Sequence, residues 1–371
     1  MIFCILTHVE HTEQNGKYFA YAPYVNEMNL WGEHVDKMIV VAPKNDFSIS
    51  PIHASYVNPN LSFKSIQAFN LISLAGIFGT IFAIPFNCWV IFWAMKKADH
   101  IHLRCPGNIG LLACLVQILF PNKRKTAKYA GNWDPNAKQP WTYRLQKKLL
   151  NNTFLTRNMT VLVYGDWEGN SKNCKSFFTA TYSENEIKET PPRNTNQLIH
   201  ALFVGTLSSG KQPLYAIQCV EQLQAMGCQI QLDMYGEGAE RNKLEQYISA
   251  NNLHDFVHLR GNQSRNDLID AYQNSHFLFL PSLSEGWPKA VAEAMFWGCV
   301  PLATKVSCVP QMVDFGKRGV LLNGIIQNDT KIIFDLASDQ KKYFEMATSA
   351  MEWSRKFTIE RMQSEIKQLL S

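Results

Sequence analysis

The stretch "LPSLSEGWPKAVAEAMFWGCVPLATK", Leu280–Lys305, reads as a strand end, a tight loop, a short helix and a second strand. Pro288 suits the first turn of a helix, where its missing N–H costs nothing. A helix is therefore expected from about Trp287 or Pro288 to Gly298. Glu285 then falls in the loop before it, and Glu293 over a turn inside it. Two carboxylates in so apolar a segment need a reason, because a buried charge is costly unless it is paired. They could be a helix-start charge and a core carboxylate held by a backbone group. The sharper reading is a binding pair. The unpaired N–H groups of the first helical turn favour an anion such as a diphosphate. A carboxylate on each side would then accept hydrogen bonds from the hydroxyls of two sugars, one on either side of that diphosphate.

The segments upstream repeat one rhythm. "QLIHALFVGTL" is a strand and "KQPLYAIQCVEQLQAMG" a helix ending on Gly227, where a left-handed cap is wanted. "QIQLDMYGEG", "ERNKLEQYISANN", "VHLRG", "RNDLIDAYQNS" and "FLFLPS" continue the alternation of strand and helix. This predicts a doubly wound α/β domain, which binds ligands at the carboxyl ends of its strands. Two loops converge on that end. In "FVGTLSSGKQ", Gly205 allows close backbone approach and Lys211 supplies a point charge for phosphate, or is a solvated loop lysine. In "DMYGEGAE", Gly236 and Gly238 turn the chain after a strand.

The front half alternates too. "MIFCILTHV" is a strand, followed by the loop "EHTEQNGK" and an amphipathic helix from about Tyr18 to Trp31. Further strands are expected at "DKMIVVAP", "HIHLR", "RKTAKYAG" and "MTVLVYGD". The polar "SENEIKETPPRNTNQ", Ser183–Gln197, reads as a linker. The expectation is a first Rossmann-like domain over 1–190 and a second over 196–351, facing a central cleft. The last helix, 352–371, is expected to pack back on the first domain.

With 371 residues, 46% of them hydrophobic, the chain can build two large cores and is not disordered. A net charge of +5 is mild and does not imply nucleic acid. Nine cysteines without a C-x-x-C pair read as reduced, buried thiols in a cytoplasmic protein, not as zinc ligands or a disulfide frame. The N-terminus lacks the pattern of a signal peptide. One segment, Ile66–Met95, carries no formal charge and exceeds the length of a spanning helix. Gln67, Asn70, Asn87 and Pro85 argue instead for a helix broken near Pro85, buried on one side and lying on a membrane with the other. The basic runs Pro121–Lys128 and Tyr143–Lys148 are solvated faces or contacts with an anionic membrane.

Residues 198–325 resemble the donor-binding domain of the family-4 glycosyltransferases of the GT-B fold. The resemblance rests on Glu285 and Glu293 as an E-x7-E motif within "SEGWPKAVAEAMFWGCVPLAT", on "VGTLSSGK", on "YGEGAERNKLEQ" and on "VHLRGNQSRNDLIDAYQNSHFLFLPS". It implies retaining transfer of a sugar from a nucleotide-diphosphate donor, UDP-sugar first and GDP-sugar next, with no metal or other cofactor. Glu293 would hold the ribose, Glu285 the donor sugar, and Lys211 the departing diphosphate, helped by the amides of Gly286 and Trp287. Gly205 and Gly236 would line the donor site. Where the family usually has an arginine after the glycine of the first block, this chain has Thr206; either Arg260 or Lys289 compensates or catalysis is weaker than usual.

The front half should bind the acceptor, a glycan or lipid-linked glycan. Candidates are Arg104 and a catalytic His102 in "ADHIHLRCPGN", then Asn132, Trp133 and Asp134 in "YAGNWDP", with Gly16 near the donor phosphate. Each of these also has a plain structural reading: a core histidine, a packed tryptophan, a loop glycine. The whole reads as a cytoplasmic enzyme of cell-surface polysaccharide synthesis, peripheral on the inner face of the membrane. Its rivals are a GT-B sugar-nucleotide epimerase and a non-catalytic sugar-nucleotide-binding subunit of a membrane assembly.

Overall fold

Strands buried on both faces read as continuous apolar runs, and helices must cross between parallel neighbours. Both features are realised twice. The computed structural model describes residues 1–50, 52–68, 74–190 and 193–371, with 74–82 described by backbone alone. The chain divides into two units: Met1–Thr179 with Met362–Ser371, and Ala180–Arg361.

The first unit holds β1 (Ile2–Leu6), β2 (Thr12–Gln14), β3 (Lys17–Tyr21), β4 (Lys37–Pro43), β5 (His53–Ser55), β6 (Leu61–Ile66), β7 (His100–Cys105), β8 (Arg124–Tyr129), β9 (Met159–Tyr164) and β10 (Cys174–Phe177). Its helices are α1 (Ala22–Gly32), α2 (Leu74–Lys97), α3 (Asn108–Val116) and α4 (Trp141–Leu150). Seven strands form a parallel sheet in the order β10-β9-β8-β7-β1-β4-β6, while β2, β3 and β5 form a small antiparallel sheet. Ile91 and Met95 of α2, Leu112 of α3 and Leu150 of α4 pack with Leu103, Ala127 and Val161 in one core.

Two expectations change here. The helix expected from Tyr18 begins at Ala22, because Asn15 and Gly16 (φ +53° and +72°) form the two-residue turn of a β2–β3 hairpin. The break expected at Pro85 does not occur: α2 runs through it. The ring removes one N–H, and the ladder continues on either side. Asn87 is fully buried and explains one polar residue in this apolar stretch. Its side-chain amide pairs with the main-chain N–H and C=O of Gln67, at 2.9 and 2.8 Å. Asn70 lies outside the described residues. Among the described residues no helix is long and apolar enough to cross a membrane.

The second unit holds β11 (Ile199–Val204), β12 (Ile230–Tyr235), β13 (Val257–Gly261), β14 (Phe277–Leu280), β15 (Val300–Thr304) and β16 (Val320–Leu322). Its helices are α5 (Pro213–Ala225), α6 (Arg241–Ala250), α7 (Arg265–Asn274), α8 (Lys289–Phe296), α9 (Val309–Met312), α10 (Ile326–Ala337) and α11 (Gln340–Ser354). All six strands are parallel, in the order β13-β12-β11-β14-β15-β16. The order reverses between β11 and β14, the switch point at which such sheets open a crevice.

The division falls before the polar stretch Ser183–Gln197 because Tyr182 is a core residue of the second unit, its ring 4.7 Å from Phe296 and 5.4 Å from Trp297. The last helix, α12 (Ile359–Leu370), contributes Met362 onward to the first unit. There Glu365 meets Lys175 at 2.6 Å and Gln363 meets Glu33 at 2.7 Å.

Candidate functional site

The loops that leave β11 and β14 lie side by side at the switch point of the second sheet. Lys211 sits in the first and Glu285 in the second, with Lys211 Nζ 2.5 Å from Glu285 Oε1. The Leu283 amide donates to the Gly210 carbonyl at 2.8 Å and holds the two loops together. The Glu285 side chain is 8% exposed and that of Lys211 29% exposed, so the pair stands at the rim rather than in the core.

The loop after β12 stacks on the loop after β11. Gly205 donates to the Tyr235 carbonyl at 2.9 Å, and Leu207 to that of Glu237 at 3.0 Å. This stacking is what demands glycine. A Cβ on Gly236 would stand 2.0 Å from the Gly205 oxygen, and one on Gly238 would stand 2.3 Å from the Leu207 oxygen. Gly236 therefore serves loop-on-loop packing, and Gly205 supplies the backbone against which it packs.

Helix α8 begins at Lys289, directly after Pro288, and carries Glu293 on its second turn. Glu293 is half-buried. Its Oε1 accepts from the Thr181 hydroxyl at 2.9 Å and its Oε2 from the Tyr272 hydroxyl at 3.1 Å. Burial raises its carboxyl above the ordinary value, while those hydroxyls and the charges of Lys289 and Arg265 act in the opposite direction. Thr181 and Tyr272 escaped the reading of the sequence. No local signal marks a partner 112 residues away in the chain.

Around this centre, the Gly286 carbonyl accepts from the Ser307 hydroxyl at 3.0 Å, which fixes the loop before α8. The Trp287 ring packs against Trp353 and Phe357, at 6.4 and 5.9 Å. Thr206 is exposed on the β11 loop. Arg260 does not make good the cation that Thr206 lacks. It lies on the edge strand β13, 48% exposed, and binds Asp233 of β12 at 2.6 Å. The arrangement is thus a cation–carboxylate pair at a sheet's switch point, with a second carboxylate held by hydroxyls on the adjoining helix. Such a set can bind an anion and a polyol together. Among the described residues no three His, Cys, Asp or Glu cluster as a metal site.

Residues 183–353 match the family of glycosyl transferases group 1. Over this part the chain is similar to the group 1 glycosyltransferases. A stretch of 175 residues is 26% identical to the GtfA subunit of a UDP-N-acetylglucosamine–peptide N-acetylglucosaminyltransferase of Limosilactobacillus reuteri, covering 43% of this chain and 33% of that one. An uncharacterized glycosyltransferase of Methanocaldococcus jannaschii is 26% identical over 161 residues, 43% of this chain and 44% of that protein. The matches therefore span less than half the length of these relatives. Over the whole chain, the fold is that of HepE of Anabaena, solved with UDP and glucose. The TM-score is 0.67 at 16% identity, and the match covers 100% of this chain and 99% of that one. The two Rossmann-like sheets are accordingly those of the GT-B fold.

Outside the matched residues, several expected contacts prove structural. His102 is fully buried in β7, its ring between Phe3 and Trp31 at 5.5 and 4.6 Å, with Nδ1 2.8 Å from the Thr126 hydroxyl. Burial first, and the charge of Arg104 second, hold it well below the usual imidazole value. It faces a core, not a substrate; His100, two residues away on the same face of the strand, is buried at the strand's start. Arg104 is buried at the end of β7 and pairs with Glu27 of α1 at 2.6 Å; Lys128 of β8 reaches the same carboxylate at 2.9 Å. Burial lowers Lys128 to about 8 although Glu27 pulls it up.

Trp133 is 3% exposed, bonded through Nε1 to Asn170 at 2.8 Å, so it packs rather than stacks on a sugar. Asn132 and Asp134 shape their own loop, accepting from the amides of Asp134 and Asn136 at 2.9 and 2.8 Å. Gly16 is the hairpin tip described above, and a Cβ there would meet no atom of the described residues within 4 Å. The basic run at β8 is not a solvated face throughout: Lys125 and Lys128 point inward, and Lys123 binds the carbonyls of Lys96 and Ala98 at the end of α2.

Proposed function

We propose that this chain is a retaining glycosyltransferase that takes a sugar from a UDP-sugar and gives it to a glycan or lipid-linked glycan. The observation that carries the reading is the Lys211–Glu285 pair at the switch point of the second sheet. When donor binds, Lys211 turns to the diphosphate and Glu285 is released to accept hydroxyls of the sugar. As the bond from the sugar's anomeric carbon to the diphosphate breaks, Lys211 stabilises the charge that develops on the leaving oxygen. The acceptor oxygen bonds to that carbon, and its proton leaves with the diphosphate. Glu293, with lone pairs beyond those bonded to Thr181 and Tyr272, receives ribose hydroxyls. The UDP in the HepE structure supports UDP over other nucleotides.

A membrane surface is the proposed workplace. On α2, Phe86, Trp89 and Trp93 are 45%, 62% and 42% exposed, at helical spacing along one face, while Ala83, Ile91 and Ala94 are buried on the other. Lys96 lies over the Trp93 ring at 4.6 Å and Lys97 follows it, a cationic end suited to anionic lipid.

The test is calorimetric titration of UDP, GDP, CMP and dTDP, repeated with Glu293→Ala. Selective UDP binding that weakens about ten-fold or more in the variant is the expected result. A folded protein that binds none of the four overturns the donor site. Binding without turnover of any UDP-sugar favours the non-catalytic subunit.

A further inference from the structure

At the opposite ends of the first unit's strands, an open cavity of about 550 Å³ is lined by the starts of β7, β8 and β9 and by the end of α12. Its volume is in the range of small-ligand sites, ~300–1,000 Å³. Its charge is one-sided. Arg124, Lys125, Arg157 and Lys172 line it, and no aspartate or glutamate does. Four cations gathered with no side-chain carboxylate among them repel one another, and a fold keeps such a set at a cost in stability unless an anion joins it.

Two of the four are accounted for by the protein. Arg124 donates to the main-chain oxygens of Leu370 and Ser371, and Lys125 to the Phe120 carbonyl at 2.6 Å. The other two, Arg157 and Lys172, are exposed and make no hydrogen bond or ion pair with any described residue. The wall also holds His100, 1% exposed, whose Nε2 meets the Thr126 hydroxyl at 3.0 Å while Nδ1 has no partner among the described residues. Lys125 itself is 2% exposed. Burial, and then the charge of Arg157, lower it to about 8, as expected of a cation held among cations.

We propose that this cavity binds a phosphate-bearing anion of more than one negative charge, such as a diphosphate, seated on Arg157 and Lys172 with Lys125 behind them. An arginine fork and lysine point charges together match phosphate oxygens better than they match a lone carboxylate. The site lies at the amino-terminal ends of the first unit's strands and shares no residue with the donor pair of the second unit. The anion comes either free in solution or as a lipid headgroup.

Inorganic pyrophosphate titrated into Lys211→Ala, where the donor site has lost its phosphate contact, reads the free form. Co-sedimentation with phosphatidylcholine vesicles, with and without phosphatidic acid, reads the headgroup. Both are repeated after adding Arg157→Ala and Lys172→Ala, exposed positions where the fold is not at stake. Pyrophosphate binding that weakens about ten-fold or more in the variant assigns the site to a soluble phosphate compound. A phosphatidic-acid-dependent sedimentation that the same substitutions abolish assigns it to lipid. If neither probe's binding depends on Arg157 and Lys172, the proposal is wrong. Nucleotide binding sensitive to Glu293→Ala is a separate readout, so failure here leaves the donor site standing.

Discussion

Lys211 Nζ rests 2.5 Å from Glu285 Oε1, joining two loops 74 residues apart in sequence. The contact neutralises each group in the absence of a ligand and aims both at one point. In the proposed donor site, an incoming diphosphate would compete with it and draw the lysine away from the glutamate.

Lys211→Ala should therefore lower kcat by about 10²–10³ with a smaller effect on UDP affinity, because the lost charge acts mainly where the leaving oxygen becomes negative. Glu285→Gln should keep the fold and UDP binding and raise KM for the sugar donor. Steady-state kinetics on a UDP-sugar checks both. An unchanged kcat in Lys211→Ala would remove the lysine from the reaction.

The glycine pair tests the loop stack. Gly236→Ala would place a methyl group 2.0 Å from a backbone oxygen that cannot step aside, and should cost on the order of 3 kcal/mol in unfolding free energy and impair nucleotide binding. Gly16→Ala meets no atom within 4 Å but keeps φ near +72°, so about 1 kcal/mol is expected, with no effect on UDP. Urea denaturation and UDP titration of both variants separate steric clash from backbone strain.

The parts written in local pattern were legible in the sequence. The α8 start directly after Pro288, the left-handed cap at Gly227 (φ +88°) and the alternation that yields both parallel sheets are local features. What escaped was the environment of single polar residues. His102 and Arg104 read as strand-end contacts and Lys128 as part of a solvated or membrane-facing basic run, yet central strands of a covered parallel sheet bury both faces, and their partners Thr126 and Glu27 come from other elements. The hairpin at Asn15–Gly16 was the exception, since Asn-Gly is itself a turn signal and was read as a plain loop.

The buried imidazoles predict an acid limit. His102 is held well below 6.5, and His11, His100 and His276 at about 4, in each case first by burial. A lowered folded value means that the unfolded chain binds more protons. The stability concerned is full above pH 6.5 and is lost as pH falls toward 4. Each such imidazole adds a slope of about 1.4 kcal/mol per pH unit inside that window. His102→Asn should flatten the slope by about one such increment and leave kcat per folded molecule unchanged. A kcat that collapses at unchanged stability would return His102 to the reaction.

The exposed aromatic face of α2 makes the last prediction. Trp89 and Trp93 contribute little to the core, so Trp89→Ser with Trp93→Ser should change unfolding free energy by less than about 1 kcal/mol. In water their rings remain hydrated; at a bilayer interface they would leave water, and losing both should weaken partition to anionic vesicles by about ten-fold or more. Substituting Lys96 and Lys97 by glutamine should weaken it again, more at low salt than at high, because each cation near the surface is worth about 1 kcal/mol and is screened within a Debye length. Vesicle flotation across a salt series reads both effects. Binding that ignores the tryptophans but follows salt would reduce the surface to a diffuse charge contact. Binding that follows neither would leave the α2 face without a membrane role and turn the search toward a protein partner for it.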